Sequence, residues 1–201
     1  WFFRMRYGEA ASFLASGQNV RPTRLLEAGF RFAKPTIEDF FEGTDHAAVD
    51  RLDLHRYMGT WYEIARFDHR FERGLSEVTA TYTLMPDGTV RVENRGCKHK
   101  KPYDVCKTAE GRAKIPDPSQ PGKLKVSFFL SFYSDYYVLE LDQDEYNYAL
   151  IGSSSDKYLW ILSRAPILPE EIKKKLLDAA TRRGYDVKKL IWVEQREKKI
   201  M

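Results

Sequence analysis

Long apolar runs, nucleotide-binding glycine motifs and common catalytic motifs are absent from this sequence of 201 residues. No stretch reaches the roughly 18–20 apolar residues that a membrane-spanning helix needs. The patterns Gly-x-Gly-x-x-Gly, Gly-x-Ser-x-Gly and His-Glu-x-x-His do not occur, so no motif for dinucleotide binding, serine hydrolysis or zinc proteolysis is present. Basic residues form no stripe with interleaved aromatic residues, and we therefore expect no nucleic-acid partner.

Cysteine is scarce. Cys97 and Cys106 are the two cysteines of the chain, and they fall at the end of one predicted strand and the start of the next. A disulfide that closes this hairpin is one interpretation, and a pair of neighbouring thiols across the two strands is another. His99 lies between them, but a zinc site would need a fourth ligand and a more typical spacing. We expect no metal and no cofactor.

Hydrophobic residues make up 43% of the chain and aromatic residues 14%, a composition that allows a packed core and favours β-structure and apolar cavities. The net charge is +4, and residues 51–201 carry the positive excess. This excess is compatible with an ordinary mixed-charge surface, with an anionic ligand or with a membrane surface.

The first 50 residues differ in pattern from the rest of the chain. Short helices are predicted in residues 1–42, with Pro22 and Thr36 at two of their starts, and residues 43–50 are predicted to be a linker. The chain begins at Trp1 and shows neither a signal peptide nor a lipobox cysteine. We therefore expect it to be a fragment of a longer protein.

From residue 51 onward the pattern predicts β-structure. Apolar and polar residues alternate in short segments that are separated by turn signals such as Pro86-Asp87-Gly88. Eight such strands can close into a barrel around one small ligand. The predicted strands are 60–67, 77–84, 89–96, 108–114, 123–129, 136–141, 146–153 and 158–163.

One amphipathic helix is predicted after the last of these strands. Pro169 fits its first position, and Glu170 and Glu171 suit the positive end of the helix dipole. Apolar residues recur with helical spacing until Gly184 ends the helix. A final short strand at 190–193 is expected to pack back on the barrel.

Three motifs in order resemble those of the lipocalins. They are Gly59-Thr60-Trp61-Tyr62-Glu63, Tyr133-Ser134-Asp135-Tyr136 and Leu159-Trp160-Ile161-Leu162-Ser163-Arg164. With the tail Gly184-Tyr185-Asp186-Val187, the resemblance spans about residues 50–196 and is greatest to the bacterial lipocalin and apolipoprotein D-like subgroup. It implies an all-β, eight-stranded up-and-down antiparallel barrel with one C-terminal α-helix, preceded here by the short helical N-terminal segment. It also implies that Gly59, Trp61 and Arg164 are structural, with the arginine over the tryptophan ring.

A second resemblance covers residues 1–42. Gly8-Glu9-Ala10-Ala11, Leu14-Ala15-Ser16-Gly17-Gln18-Asn19 and Arg24-Leu25-Leu26-Glu27-Ala28-Gly29-Phe30 resemble the small C-terminal domain of epimerase-like proteins related to short-chain dehydrogenases. The expected organisation is a C-terminal remnant of an epimerase-like domain at 1–42, a linker at 43–50 and a lipocalin domain at 51–201. An upstream epimerase-like domain is the expected partner in the full-length chain.

Strand alternation predicts which side chains face the barrel interior. If Trp61 points inward, so do Glu63, Ala65 and Phe67, because side chains alternate between the two faces of a strand. Small residues such as Ala80, Ala109 and Gly111 would leave room for a ligand. The predicted ligand-binding residues are Glu63, Phe67, Tyr82, Asn94, Phe128, Tyr136, Val138 and Trp160, with Glu63 and Asn94 as polar contacts.

The lipocalin resemblance implies a carrier of a fatty acid or lysophospholipid with a role in membrane lipid maintenance. Association with a membrane surface is a further expectation. Two alternatives stay open: an enzyme acting on a bound lipid, with Glu63 and a tyrosine moving a proton, and a module that delivers a lipid to the epimerase-like domain. That fusion favours the cytoplasm, whereas the bacterial relatives favour the periplasm or outer membrane.

Overall fold

The computed structural model describes residues 43–99, 103–129 and 132–195, together with Arg24 and Glu27. The chain divides into two compact units, Trp1–Pro35 and Thr36–Met201. Arg24 and Glu27 are helical, and the other residues of the predicted N-terminal helices lie outside the described part. The following description concerns the second unit.

The second unit is a closed antiparallel barrel. Each strand pairs with the next along the chain, and β1 pairs with both β2 and β8, which closes the ring. The strands are β1 (Gly59–Phe67), β2 (Ser76–Leu84), β3 (Val90–Lys98), β4 (Val105–Lys114), β5 (Lys123–Phe129), β6 (Phe132–Leu141), β7 (Tyr148–Gly152), β8 (Trp160–Ser163) and β9 (Leu190–Trp192). The first eight form the barrel and β9 adds to β1, which confirms the predicted fold class.

The up-and-down topology gives the barrel two different ends. A four-residue helix α1 (Leu54–Tyr57) precedes β1, and the β2–β3, β4–β5 and β6–β7 connections lie at the same end, which we call the closed end. The β1–β2, β3–β4, β5–β6 and β7–β8 connections lie at the opposite end, which we call the open end. Trp61 is near the start of β1 and therefore belongs to the closed end.

Alternation along the strands separates two apolar cores. The interior of the barrel holds the first core, with Trp61, Val92, Ile151 and Leu162 among its buried members. The second core lies on the outer face of the barrel, where Ile64, Leu139, Leu150 and Ile161 pack with residues of the C-terminal region. Neighbouring residues of a strand thus enter different cores, as the period of two requires.

The helix α2 (Glu170–Arg182) covers the second core. Its residues Leu176, Ala179 and Ala180 are buried there, and Glu170 and Glu171 occupy the first turn, where the helix dipole favours negative charge. A short 3₁₀ helix (Val187–Lys189) then leads into β9. No helix of the described residues is long and apolar enough to cross a membrane.

A register shift in β1 overturns the predicted orientation of Ala65 and Phe67. The pairing between β1 and β8 is irregular between Glu63 and Ala65. An extra residue in one strand inverts the alternation beyond it. Ala65 and Phe67 therefore belong to the outer core, where the Phe67 ring packs edge-on against Tyr185 with centroids 6.2 Å apart.

Arg164 seals the closed end. Its guanidinium carbon lies 3.9 Å from the centroid of the Trp61 ring, and its nitrogens donate to five backbone carbonyl oxygens, those of Arg56, Tyr57, Met58, Thr60 and Tyr146. The fixed fork of arginine donors suits such a cluster of acceptors. Gly59 has φ +93°, a backbone conformation that favours glycine over residues with a Cβ atom.

The segment predicted to be a linker, residues 43–50, contains no helix or strand but bonds to the barrel. The Val49 amide donates to the carbonyl of Val138, and the Asp45 amide donates to that of Arg183. The Arg183 side chain also pairs with the Asp45 carboxylate at 3.1 Å. This segment is therefore attached to the barrel through at least residues 45–49.

Candidate ligand-binding site

A cavity of about 870 Å³ occupies the open half of the barrel. Apolar residues supply much of its wall, and the strands β2, β3, β5 and β8 each contribute inward-facing side chains. Such a volume lies within the range of sites that enclose small organic ligands. The apolar wall residues include Leu75, Val78, Ala80, Val92, Ala109, Val126, Ile151 and Leu162.

Tyrosine hydroxyls form the floor of the cavity. Tyr136 bonds through its hydroxyl to those of Tyr57 at 2.6 Å and Tyr82 at 2.9 Å, and Tyr82 and Tyr136 line the cavity. Burial raises the pKa of all three phenols well above the ordinary value. The floor is therefore uncharged, and its hydroxyl groups are already paired with one another.

A buried ionic cluster lies in the wall above this floor. The register shift in β1 turns Arg66 inward, and its guanidinium donates to the Glu63 carboxylate at 2.5 Å and to the carbonyls of Glu72 and Leu75. The indole nitrogen of Trp160 donates to the Glu72 carboxylate at 3.2 Å. Arg66 thus holds the β1–β2 connection against the barrel wall.

When His69 is neutral, this cluster holds two carboxyl groups and a single cation, Arg66. Burial raises the pKa of Glu63, and repulsion from Glu72 adds to the rise while Arg66 opposes it. Burial likewise raises the pKa of Glu72. Burial lowers the pKa of His69 to about 4, and the charge of Arg66 acts in the same direction. At neutral pH we therefore expect neutral His69 and a shared proton on the two carboxyl groups.

Asn94 places a polar group in the apolar wall. Its strand neighbours are Ala80 on β2 and Ala109 on β4, so small side chains flank it on both sides. Its Oδ1 atom is buried and has no hydrogen-bond partner among the described residues. A buried acceptor without a partner costs about 1–3 kcal/mol, and a ligand donor or a water molecule would remove that cost.

The mouth of the cavity combines aromatic and basic side chains. Phe71, Phe128, Phe132 and Tyr133 line it and are exposed to solvent. The basic residues Arg95, Lys98 and Lys107 line the same opening and are also exposed. Asp135 also lines the cavity and pairs with Lys125 of β5 at 2.7 Å. An amphiphile could leave an anionic head group at this opening while its apolar part fills the barrel.

The structure brings six of the eight predicted ligand-binding residues to the cavity. They are Glu63, Tyr82, Asn94, Phe128, Tyr136 and Trp160. Phe67 lies instead in the outer core because of the register shift in β1. Val138 faces the interior but is fully buried in the packing below the cavity, since β6 runs from the open end toward the closed end.

Sequence reasoning missed the contribution of the β1–β2 connection. Phe71, Glu72 and Leu75 line the cavity from this connection, and strand alternation cannot place residues outside strands. The usable signal was Arg66, a charged residue among the apolar residues Ile64, Ala65 and Phe67 that needs a partner when buried. Gly111 was also misread as spare room: a Cβ there would lie 2.5 Å from the Ser127 carbonyl and 2.7 Å from the Phe128 ring.

Cys97 and Cys106 form a disulfide at the open end. They face each other directly on β3 and β4, so they supply no thiolate for a metal. Beside them, His99 contacts Asp104 through Nδ1 at 2.8 Å and Glu77 through Nε2 at 3.5 Å. These three side chains could hold a metal ion, but the carboxylates lie on opposite nitrogens of the ring and each already has the imidazole as its partner.

The fold and the site together define a class of protein. A closed antiparallel barrel, sealed at one end and hollow at the other, binds a small hydrophobic molecule within its own interior. The class is therefore that of a binding protein.

Comparison with known proteins identifies the family within this class. Residues 52–195 match the model of the lipocalin-like domain, and the chain belongs to that family. Residues 1–43 match a separate domain of unknown function (DUF1731). The chain is 50% identical over 147 residues to the outer membrane lipoprotein Blc of Citrobacter freundii, covering 73% of this chain and 81% of that protein.

More distant relatives agree with this assignment. Mouse apolipoprotein D is 34% identical over 154 residues, which cover 73% of this chain and 78% of that protein. The structure of insecticyanin from the tobacco hornworm Manduca sexta superposes with a TM-score of 0.62 at 23% identity, covering 77% of this chain and 87% of that one. The similarity to Blc and apolipoprotein D supports the predicted subgroup, and the insecticyanin match supports the fold.

Proposed function

We propose that the barrel carries a single-chain lipid, a fatty acid or a lysophospholipid, in a role that maintains membrane lipids. The cavity of about 870 Å³ with apolar walls and a basic mouth is the observation that carries the proposal. Burying about ten methylene groups would contribute about 8 kcal/mol, which corresponds to a micromolar dissociation constant before ordering costs.

The arrangement of polar groups supports an orientation for this ligand. The floor hydroxyls of Tyr82 and Tyr136 already bond to each other, so they offer little to an anion. The exposed cations Arg95, Lys98 and Lys107 are at the mouth. A carboxylate or phosphate is therefore expected at the open end, with the chain pointing toward the tyrosines.

Titration with a fluorescent fatty acid tests the proposal. Phe128→Ala and Trp160→Ala should each weaken binding about tenfold, because each removes a large part of the apolar wall. Ile167→Ala changes an exposed residue at the closed end and should leave the affinity unaltered. Native mass spectrometry after mild extraction should show a co-purifying lipid. An affinity unaffected by both wall substitutions would exclude this cavity as the site.

The enzyme alternative receives less support from the geometry. Glu63 is the candidate proton-transfer group, and its carboxylate accepts from Arg66 at 2.5 Å. No hydrogen bond joins Glu63 to Tyr82 or Tyr136 among the described residues. Turnover of a bound lipid that disappears in Glu63→Gln would nevertheless establish the enzyme, whereas the carrier proposal expects no turnover in either form.

We also propose the two-part organisation, with an epimerase-like remnant at 1–42 and a lipocalin domain that begins near 51. The separate matches of residues 1–43 and 52–195 support it. The bonds between residues 45–49 and the barrel make the connecting segment part of the lipocalin unit. A protein beginning at residue 43 should therefore fold and bind lipid, and limited proteolysis should leave residues 45–49 attached.

A further inference from the structure

Exposed apolar side chains are concentrated at one end of the barrel. Nine large hydrophobic residues are exposed in the described part of the chain, and six of them lie at the open end. Phe132 is 75% exposed and Phe71 is 68% exposed, whereas Ile167 is the counterpart at the closed end with 64%. The six, which we call the apolar rim, are Phe71, Tyr103, Val105, Phe128, Phe132 and Tyr133.

The apolar rim is drawn from three different connections. Phe71 belongs to the β1–β2 connection. Tyr103 lies in the β3–β4 connection and Val105 begins β4, and the other three residues flank the β5–β6 connection. Single exposed apolar residues are ordinary, but a group that surrounds one opening is not. Since distant parts of the chain supply it, the rim is a surface feature of the folded barrel.

The charges at the rim favour a negatively charged partner. Arg95, Lys98 and Lys107 are exposed beside the mouth. Among the acidic residues of the same end, Asp68 pairs with Arg73 and Asp135 with Lys125. Glu77 and Asp104 both contact the single imidazole of His99, and Asp156 of the β7–β8 connection is exposed. Glu72 is buried with His69. Arg70 and Lys157 are two further exposed cations of this end. Among the described residues, the lysines and arginines of this end that have no ion pair therefore outnumber its carboxylates that have no lysine or arginine partner, and the charge beside the apolar rim is positive on balance.

Aromatic side chains mixed with lysine and arginine are typical of surfaces that lie in a lipid interface. Aromatic rings enter the boundary between head groups and acyl chains, while the cations contact lipid phosphates. The apolar rim is also continuous with the apolar cavity wall through Phe128. A lipid entering the barrel from a bilayer would then pass along apolar surface instead of through water.

We infer that the open end docks on an anionic phospholipid surface with the cavity mouth against the lipid. The apolar rim enters the interface, and Arg95, Lys98 and Lys107 contact the phosphates. The inference extends the proposed carrier function and rests on it, because docking would serve to load or release a lipid. The docking itself can be measured without a bound ligand.

Flotation with vesicles of equal parts phosphatidylcholine and phosphatidylglycerol tests the docking. Tyr103 and Val105 are exposed but do not line the cavity, so Tyr103→Ser combined with Val105→Ser should weaken vesicle binding at least tenfold. The same pair of changes should leave the affinity for a soluble fluorescent fatty acid unaltered. Ile167→Ser, at the closed end, should change neither quantity.

A second arm tests the electrostatic part. Lys98→Gln combined with Lys107→Gln should weaken binding to these vesicles about fivefold for each lysine removed. Added salt should weaken wild-type binding in the same way. Vesicles of phosphatidylcholine alone should bind weakly and should not distinguish these variants. Equal binding to both kinds of vesicle would overturn the anionic preference.

The outcomes separate docking from the carrier function. Vesicle binding that is lost in the rim variant while fatty-acid binding persists supports the inference. Vesicle binding without any fatty-acid binding would support the docking and contradict the proposed carrier function. Absence of vesicle binding overturns the inference, and a wild-type dimer that the rim variant converts to monomer in sedimentation velocity would assign the rim to a second copy of the chain.

Discussion

The same eight strands form a packed core at one end of this barrel and the wall of a cavity at the other. At the closed end Tyr57 and Trp61 fill the interior, and Arg164 covers them with bonds to five carbonyl oxygens. In the open half a cavity takes the place of a core, and the small side chains of Ala80 and Ala109 are part of its wall. The same strands and the same topology therefore give one end that is packed and one end that is hollow.

Polar groups at the two ends differ in the same way. The buried donors of the closed end, such as the Trp61 indole, have backbone partners. At the open end Arg66 Nε, His69 Nδ1 and Asn94 Oδ1 are buried without hydrogen-bond partners among the described residues. Buried polar groups are usually paired, so the open end has a cost in stability that a ligand can offset.

Trp61→Ala should produce the largest loss of stability. Trp61 is fully buried, and truncating such an aromatic residue leaves a cavity that costs about 3–5 kcal/mol. Trp192→Ala is the matched control, because Trp192 is 45% exposed and should cost about 1 kcal/mol or less. Urea unfolding measures both. Similar losses for the two tryptophans would mean that the buried position of Trp61 at the closed end gives it no special role in stability.

Arg164→Ala should come next, with a loss of about 2–4 kcal/mol. Five carbonyl oxygens lose a charged donor, and the Trp61 ring loses its cation. Arg164→Lys keeps the charge without the fork and should recover less than half of the loss. Full recovery by lysine in thermal unfolding would show that charge alone, without the fork geometry, stabilises this end.

The pH dependence of stability should reveal the ionic cluster of the open half. The folded-state pKa of Glu63 and Glu72 is raised, so the folded protein binds protons more tightly and loses stability as pH rises above about 4.5 through the raised values. The pKa of His69 is lowered to about 4, so stability also falls as pH decreases from about 6.5 to about 4. The two effects oppose each other between about pH 4.5 and 6.5, and above about pH 6.5 only the loss from the carboxyl groups remains, so the contribution of this cluster to stability should be greatest at mildly acidic pH and should fall toward alkaline pH.

Glu63→Gln should reduce the loss of unfolding free energy at alkaline pH by about 1–3 kcal/mol, since each pKa unit corresponds to about 1.4 kcal/mol. Glu170→Gln is the control, because Glu170 is exposed on α2, and should leave the profile unaltered. Urea unfolding at a series of pH values measures the effect. An alkaline loss of the same size in Glu63→Gln would assign it to another group.

Asn94→Leu should have the smallest effect on stability. This small effect should contrast with the large losses expected for substitutions at the closed end. The substitution removes an unpartnered buried acceptor, so the free energy of unfolding should be unchanged or should rise by about 1 kcal/mol. Ligand selectivity should change at the same time. A loss of more than about 2 kcal/mol would mean that Asn94 is structural, as the residues of the closed end are.

Much of this site follows from the sequence because strand alternation is local. The period of two placed Glu63, Tyr82, Asn94, Phe128, Tyr136 and Trp160 on inward faces, and all six line the cavity. The same rule failed for Phe67, since no local signal marks the irregular pairing of β1 with β8. It also could not place Glu72, because a connection has no fixed period.

The sequence by itself determined the eight alternating strands, the amphipathic helix and the residues that seal the closed end, since each depends on periodicity or on a short motif. Tertiary structure decided where packing ends and the cavity begins, because that depth depends on how side chains from several strands meet. It also decided the inward turn of Arg66 and the grouping of the apolar rim. These features need contacts between residues that are distant in the chain, and such contacts exist only after the barrel has closed.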